Sequence, residues 1–304
     1  MKKINLTWIA RVICVSVLFG CGGIWAADGV QHPTMVAGGE GTAIAVYEFG
    51  NPKGDEILLV HGFSQSHLSW ASQYEAPELQ GYRMVVIDLR GHGSSARPQA
   101  AASYNNSDVW ADDVHAVISA KNMELPVIVG WSYGGFVISD YVRKYGDHNL
   151  GGVVFVGAAT QLGTDAAGGH LGPAGEWFPR MMDPRQEVNI AGTRGFLEAC
   201  IEGEWPQEDF VEALAFNMMV SPAVRVAMLS RVIDGDDALA AISKPALLIH
   251  GEEDEVVLPA SSHYIAERVP HAKQSYYPDT GHNPFYEEPA RFNQELAAFV
   301  NGIN

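Results

Sequence analysis

A serine set between two glycines, in a Gly-x-Ser-x-Gly pattern, is the first candidate for chemistry in this sequence. Ser132 follows the apolar run Val127–Val129 and precedes a helical pattern, which predicts a sharp strand-to-helix turn. Such a turn strains the backbone and projects the hydroxyl clear of the sheet. It requires small neighbours such as Gly130 and Gly134, because the flanking backbones come close. The positive end of the following helix favours a negatively charged oxygen nearby. Ser132 is therefore predicted to be a nucleophile.

A serine hydroxyl is a weak nucleophile near neutral pH, so it needs a base and a group that orients the base. His282 lies in the loop after the last predicted strand, and Asp254 lies just past the end of another. The carboxyl ends of parallel strands share one edge of a sheet, so these loops are expected to meet. Glu252, Glu253 and Glu255 are alternative acids, but the spacing after the preceding glycine favours Asp254.

The elements that position these side chains alternate between strand and helix, which predicts an α/β fold with a mainly parallel twisted sheet and helices on both faces. Runs of apolar or strand-forming residues give the predicted strands: Thr42–Phe49 near the sheet edge, Ile57–Val60, Met84–Ile87, Val127–Val129, Val153–Val156, Ala246–Ile249 and Gln274–Tyr277. Amphipathic segments give the predicted helices: Asn105–Ala120, Tyr133–Tyr145, Pro259–Arg268 and Pro289–Val300.

One stretch, residues 161–243, interrupts this alternation because it shows no clear strand. It opens with a glycine-rich loop and continues with Trp, Phe and Met side chains at loosely helical spacing. We interpret it as a helical cap inserted into the core, with some of its apolar residues facing the active site. The predicted organisation is an export signal at 1–27, a core formed by 28–160 and 244–304, and a cap at 161–243.

The combined motifs resemble the α/β-hydrolase superfamily over roughly Ala43 to Phe299. Trp131 before the serine and the stretch from Asn217 to Arg225 are most similar to small esterases related to cofactor-free haloperoxidases and perhydrolases. A serine at the nucleophile position argues against the branches that use a carboxylate there. The landmarks of the resemblance are His61-Gly62, Asp88-Leu89-Arg90-Gly91-His92-Gly93-Ser94, the serine turn, Gly251-x-x-Asp254 and Gly281-His282.

This resemblance implies roles for further residues. The backbone N–H groups of Phe63 and Tyr133 would form the oxyanion hole. Other residues would support the site or brace its loops, structurally rather than by direct chemistry: His61, Gly62, Gly130, Gly134, Asp88, Arg90 and His92.

The sequence therefore predicts a serine hydrolase that cleaves carboxylic esters or lactones of small to medium apolar substrates through an acyl-enzyme on Ser132. The expected partner is a small-molecule ester, and no cofactor is expected. Two alternatives keep the same catalytic residues: perhydrolysis with haloperoxidase activity, and hydrolysis of a carbon–carbon bond. A third alternative, from another class, is a ligand-binding protein with little turnover.

Charge and residue spacing argue against other classes of function. The formal net charge of -17 disfavours binding to nucleic acid or anionic lipid. A metal site is not expected, because the sequence has no His-Glu-x-x-His motif and its histidines are scattered. The nearest candidate ligands, Asp112, Asp113 and His115, are predicted on a helix outside the sheet. Cys200 is predicted to be a buried, inert thiol.

The N-terminal segment is predicted to direct export to the periplasm or the medium, with no membrane span in the mature protein. Lys2 and Lys3 precede an apolar run, Val12–Gly20, that is too short to span a bilayer. Two processing routes stay open. Lipidation at Cys21 would give a membrane-anchored lipoprotein, and cleavage after Ala26 or Ala27 would release the protein.

Overall fold

The computed structural model describes residues 32–303. The predicted export signal at 1–27 and the lipidation candidate Cys21 lie outside these residues. Within the described range, no single helix is long and apolar enough to cross a membrane, although one pair of helices bent by 79° reaches that length and composition together.

An eight-stranded sheet forms the centre of the described chain, in the order β1-β2-β4-β3-β5-β6-β9-β10. The pairings β1–β2 and β2–β4 are antiparallel, and the others are parallel. The strands are β1 Thr34–Ala37, β2 Ala43–Gly50, β3 Glu56–Val60, β4 Arg83–Asp88, β5 Val127–Trp131, β6 Gly152–Val156, β7 Gln161–Leu162, β8 Ile233–Asp234, β9 Ala246–Gly251 and β10 Lys273–Tyr277.

Each predicted strand is present, and the predicted fold class is correct. The first predicted strand, β2, lies near the sheet edge as expected, one strand in from it. The outer neighbour is β1, which the sequence pattern did not reveal, since Val36 is the one buried residue of its four. A strand that buries so little shows no clear hydrophobic alternation.

Helices cover both faces of the sheet. They are α1 Ala71–Tyr74, α2 Ala102–Asn105, α3 Ser107–Ala120, α4 Gly134–Tyr145, α5 Phe178–Met181, α6 Gln186–Glu198, α7 Gln207–Met218, α8 Pro222–Leu229, α9 Asp236–Ala240, α10 Ala260–Arg268, α11 Pro284–Glu287 and α12 Pro289–Asn301. The four predicted helices correspond to α3, α4, α10 and α12. The helix α3 begins two residues later than predicted because the Asn106 side chain accepts the N–H of Asp108 and caps it.

Residues 161–243 are largely helical, and α5 to α9 lie within them. The prediction that this stretch lacks strands was wrong at its two ends, where β7 and β8 pair antiparallel. Each of these strands is two residues long, which is too short to produce a periodic signal. Its role as a cap domain stays a prediction.

Two apolar layers form the core, one on each face of the sheet. Successive residues of a strand alternate between them, as in β3, where Leu58 packs into one layer and Leu59 into the other. The first layer contains apolar residues of α3 and α4, and the second contains those of α12. Strands buried on both faces hold the loops at their carboxyl ends in fixed positions.

Candidate active site

Ser132 lies on a strained turn between β5 and α4. Its φ of 55° falls in the left-handed region, which residues other than glycine rarely adopt. Backbone hydrogen bonds hold it there: its N–H donates to the Val156 carbonyl at 2.9 Å, and its own carbonyl accepts from Gly135 at 2.9 Å and Ala159 at 3.1 Å. The turn is therefore fixed by the neighbouring strand β6 and by the first turn of the helix.

The glycines around Ser132 allow backbones to approach more closely than any side chain would permit. A Cβ at Gly130 would lie 2.6 Å from the Gly134 carbonyl oxygen, and one at Gly134 would lie 2.8 Å from that of Val60. A Cβ at Gly62 would lie 3.0 Å from the Cβ of Ser132. These positions explain why the turn needs small residues on both sides.

The structure brings His282 and Asp254 together. His282 Nδ1 lies 2.7 Å from Asp254 Oδ2, and both side chains are buried. Nδ1 donates this bond, because an ionised carboxylate can only accept. The opposite nitrogen, Nε2, is buried and has no hydrogen-bond partner among residues 32–303. Nε2 is thus the nitrogen left free to take a proton.

Asp254 is held by more than His282. Its Oδ1 accepts backbone N–H groups from Val256 at 2.8 Å and Val257 at 2.9 Å. Burial alone would raise the pKa of Asp254, but the charge of His282 and hydrogen bonds from His250 and His282 lower it well below its ordinary value. The carboxylate therefore stays ionised and fixes the histidine tautomer.

A second histidine, His250, also lies against Asp254, and this role was not predicted from the sequence. Its Nε2 lies 3.1 Å from Asp254 Oδ2 and 2.7 Å from the Val257 carbonyl, and its Nδ1 lies 2.7 Å from Ser262 Oγ. The one indication of this role in the sequence is the position of His250 directly after a predicted strand, four residues before Asp254.

The backbone of His282 is anchored on two sides. Trp131 Nε1 donates to the His282 carbonyl at 3.0 Å, and the His282 N–H donates to the carbonyl of Cys200 at 3.0 Å. Gly157, with φ 45°, lies beside the pair, since a Cβ there would be 3.2 Å from both Asp254 Oδ2 and His282 Nδ1. The sequence analysis did not predict this role for Gly157, because only the fold shows how closely it approaches the site.

The backbone N–H groups of Phe63 and Tyr133 donate no hydrogen bond to any acceptor in residues 32–303. Tyr133 directly precedes α4, so its N–H belongs to the helix end that favours negative charge. Phe63 directly precedes Ser64, which has a positive φ of 62°. Two unused donors near Ser132 have the chemistry an oxyanion hole requires.

His61 and His92 brace the loop that carries Phe63. His61 Nε2 accepts the Leu89 N–H at 2.9 Å, and His92 Nε2 accepts the Ser64 N–H at 3.2 Å. Burial lowers the pKa of His61 to about 4 and that of His92 to about 3, so both rings are neutral near pH 7.

Asp88 and Arg90 also have structural partners. Asp88 accepts the backbone N–H groups of His67 and Ser94, at 2.8 and 2.7 Å. Arg90 forms a buried two-point ion pair with Asp113, with both N–O distances 2.7 Å. Asp113, one of the residues considered as a metal ligand, therefore has its carboxylate occupied by a guanidinium.

Cys200 is fully buried, and burial raises the pKa of its thiol well above the ordinary value. A thiol that cannot ionise near pH 7 is a poor nucleophile, which agrees with the predicted inert role. It lies just beyond the end of α6.

An aromatic side chain of the predicted cap contacts the site. Phe178 meets Phe63 edge-on with ring centroids 5.7 Å apart, and Phe196 lies behind it at 5.5 Å. The loop that carries the free N–H of Phe63 is thus covered by apolar surface.

Comparisons with known proteins show the family to which this chain belongs and the solved structures that it resembles. A model of the alpha/beta hydrolase family matches residues 57–295. The chain belongs to the alpha/beta hydrolase family. The solved structure of a candidate aryl esterase from Burkholderia cenocepacia is 34% identical with a TM-score of 0.85, over 89% of this chain and 98% of that one. The esterase RhEst1 from Rhodococcus sp. ECU1013 is 32% identical with a TM-score of 0.84, over 90% of this chain and 100% of that one.

A third alpha/beta hydrolase relative points to the same group of activities. The bifunctional esterase/perhydrolase DCH of Acinetobacter calcoaceticus is 27% identical over 275 residues, which are 86% of this chain and 97% of that protein. The protein is therefore a hydrolase whose relatives include esterases.

Proposed function

We propose that this alpha/beta hydrolase cleaves carboxylic esters or lactones through an acyl-enzyme on Ser132. The observation that carries the proposal is the His282–Asp254 hydrogen bond of 2.7 Å, with a free Nε2 on the histidine and a serine on a strained turn. This combination supplies an oriented base and a serine hydroxyl on the turn that begins α4, the two groups that serine nucleophilic catalysis requires.

In the first half of the reaction, Ser132 Oγ attacks the ester carbonyl carbon while His282 Nε2 accepts the hydroxyl proton. The carbonyl oxygen becomes an oxyanion, which the N–H groups of Phe63 and Tyr133 stabilise. The bond to the leaving oxygen then breaks, and His282 returns the proton to the departing alcohol. In serine hydrolases each oxyanion donor contributes about 2.7–4 kcal/mol of transition-state stabilisation.

In the second half, His282 removes a proton from water, and the resulting oxygen nucleophile attacks the acyl carbon. The new tetrahedral intermediate uses the same two N–H groups. Breakdown releases the carboxylic acid, and His282 returns the proton to Ser132 Oγ. Asp254 stays ionised throughout and stabilises the protonated histidine.

The substrate is proposed to be of small to medium size and apolar near the acyl carbon. The aromatic contact of Phe178 with the Phe63 loop supports this, because an apolar wall next to the oxyanion donors favours apolar groups there.

A panel of p-nitrophenyl esters with acyl chains of increasing length tests the proposal. We expect Ser132→Ala to lower kcat by at least about 1,000-fold with little change in Tm. Ser139→Ala is the matched control, since Ser139 is a buried serine on α4 whose hydroxyl donates to the Gly135 carbonyl. Retention of ester turnover by Ser132→Ala would refute the proposal.

Perhydrolysis is a second candidate, favoured by the similarity to an esterase/perhydrolase. Hydrogen peroxide would replace water in the second half-reaction and release a peracid. Peroxide-dependent bromide oxidation in acetate buffer, absent in Ser132→Ala, is the expected sign of this activity. If esters are hydrolysed normally but no peroxide-dependent bromide oxidation is detected, perhydrolysis is excluded and ester hydrolysis remains the proposed activity.

A further inference from the structure

The loop that carries His282 presents three consecutive backbone N–H groups, and each of them has an acceptor in the protein. The N–H of Gly281 donates to Glu287 Oε2 at 3.0 Å, and the N–H of Asn283 donates to Glu287 Oε1 at 3.1 Å. The N–H of His282 itself donates to the Cys200 carbonyl at 3.0 Å. One carboxylate therefore holds the residues on either side of the proposed base.

Glu287 reaches this loop because it is the last residue of α11, the single helical turn that follows His282. Pro284 is the first residue of this turn, and the N–H groups of Tyr286 and Glu287 donate to the Asn283 carbonyl at 2.8 and 2.9 Å. Helical side chains lean towards the N-terminus of their helix. The Glu287 carboxylate therefore reaches back to the start of the turn, as the acidic residue of a capping box does.

The same carboxylate also binds the segment predicted to be the cap. Glu287 Oε2 accepts the N–H of Glu202 at 2.8 Å. A Cβ at Gly281 would lie 2.9 Å from the Glu202 nitrogen and 3.0 Å from Ile201 Cα, so glycine is needed for the two backbones to approach this closely. Together with the bond to the Cys200 carbonyl, these contacts join the loop and the predicted cap into one hydrogen-bonded unit.

The charge of Glu287 adds to these contacts. Hydrogen bonds to an ionised group are stronger than those between neutral groups. Burial raises the pKa of Glu287, whereas the bonds from the three N–H groups and the charge of a protonated His282 lower it. The carboxylate therefore lies close enough to the imidazole to favour its protonated form, which is the form that the proposed reaction generates.

The position of a catalytic base depends on its backbone as well as on its ring. Asp254 orients the imidazole of His282, but the ring still moves if the loop that carries it moves. A misplacement of about 1 Å can cost about 100-fold in rate. We propose that Glu287 is a positioning residue that fixes the His282 backbone and links it to the predicted cap. The inference rests on the proposed ester hydrolysis and adds a residue on which that reaction depends.

The variant Glu287→Gln tests the proposal because it keeps the shape of the side chain and replaces one accepting oxygen with an amide nitrogen that cannot accept. We expect the rate constants for fluorophosphonate labelling and for p-nitrophenyl acetate turnover, each expressed per titrated active site, to fall at least about tenfold. Glu288→Gln, an exposed change at the next residue, is the matched control and should behave as the wild type. A loss in the number of active sites, with a wild-type rate per site, would show a purely structural role and overturn the inference.

A double-variant cycle with His282→Ala tests whether Glu287 acts through the histidine. We expect Glu287→Gln to change the residual rate of His282→Ala by less than about twofold, because the base that it positions is already absent. If Glu287→Gln lowers the rate by the same factor in both backgrounds, the substitution loosens the whole site and the inference is contradicted.

Amide hydrogen exchange tests the bonding without catalysis. We expect peptides covering 278–288 and 199–204 to exchange at least about tenfold faster in Glu287→Gln, and to be unchanged in Glu288→Gln. If the wild type hydrolyses no ester but both peptides respond, the proposed function fails while the link between loop and cap stands. If the wild type hydrolyses esters and Glu287→Gln changes neither the exchange nor the rate per site, the inference alone is overturned.

Discussion

At the scale of single residues, Asp254 is the most heavily bonded member of the site. It accepts hydrogen bonds from His282 and two backbone N–H groups, His250 Nε2 lies 3.1 Å from its Oδ2, and its pKa lies well below the ordinary value. The neighbouring glutamates, which the sequence left as rivals, are exposed. The geometry therefore favours the choice made from spacing.

We expect Asp254→Asn to lower kcat by roughly 10⁴-fold, because the amide would favour the wrong histidine tautomer. Glu253→Gln is the matched control and should retain full activity. Steady-state kinetics on one p-nitrophenyl ester, with Tm measured in parallel, separates catalysis from folding. An equal loss of kcat in Glu253→Gln would contradict the assignment of Asp254 as the acid.

The sequence predicts Ser132, Asp254 and His282 as site residues because each carries a local signal: a motif, a strand end or a glycine before it. The roles of His250 and Gly157 were not predicted. Their positions beside the site depend on how distant strands pair, and no local pattern reports that.

At the scale of elements, the loop after β3 depends on two neutral histidines, His61 and His92. An unfolded histidine has a pKa near 6.5, whereas burial lowers these to about 4 and about 3. Between pH 6.5 and 4 the unfolded chain therefore binds more protons than the folded one. Stability is fully present above pH 6.5 and falls as the pH drops through this window.

Each of the two histidines should contribute a loss of about 1.4 kcal/mol in the free energy of unfolding per pH unit below pH 6.5. Urea unfolding between pH 7.5 and 5 measures this slope, and a His variant separates the histidine contribution from that of Asp113, whose pKa burial raises to about 6. His92→Gln should remove about half of the slope that the two histidines cause. His148→Gln, an exposed change, should leave the slope unchanged. If His92→Gln leaves the slope of unfolding free energy against pH unchanged, the assignment of buried His92 as a source of the pH dependence is contradicted.

Long, buried elements were predictable and short ones were not. The parallel strands read as apolar runs, and α3, α4, α10 and α12 show helical spacing with bounds within two residues of those observed. The missed elements include the four-residue helices α1, α2 and α11, the strand β1, which buries one residue, and the two-residue strands β7 and β8. Pairing of such short strands is decided by tertiary contacts rather than by sequence periodicity.

At the scale of the whole molecule, the net charge of -17 raises the local concentration of cations near the surface and lowers that of anions. This long-range effect is screened by salt, over a Debye length of about 10 Å at 0.1 M.

We propose that residues 1–27 direct export. Expression with and without this segment, followed by fractionation and mass determination, tests the proposal. The full chain should leave the cytoplasm, and the truncated chain should stay there. A lipid adduct lost in Cys21→Ser would establish lipidation, and cleavage after Ala26 or Ala27 would establish release. Export of the truncated chain would refute the role of the segment.

The central claim is that Ser132 is an activated nucleophile. Mass spectrometry of the protein after treatment with a fluorophosphonate probe tests it most directly, with Ser132→Ala and Ser139→Ala alongside. We expect one adduct, on Ser132, in the wild type and in Ser139→Ala, and none in Ser132→Ala. Folded wild-type protein that forms no adduct would contradict the account and favour a ligand-binding protein with little turnover.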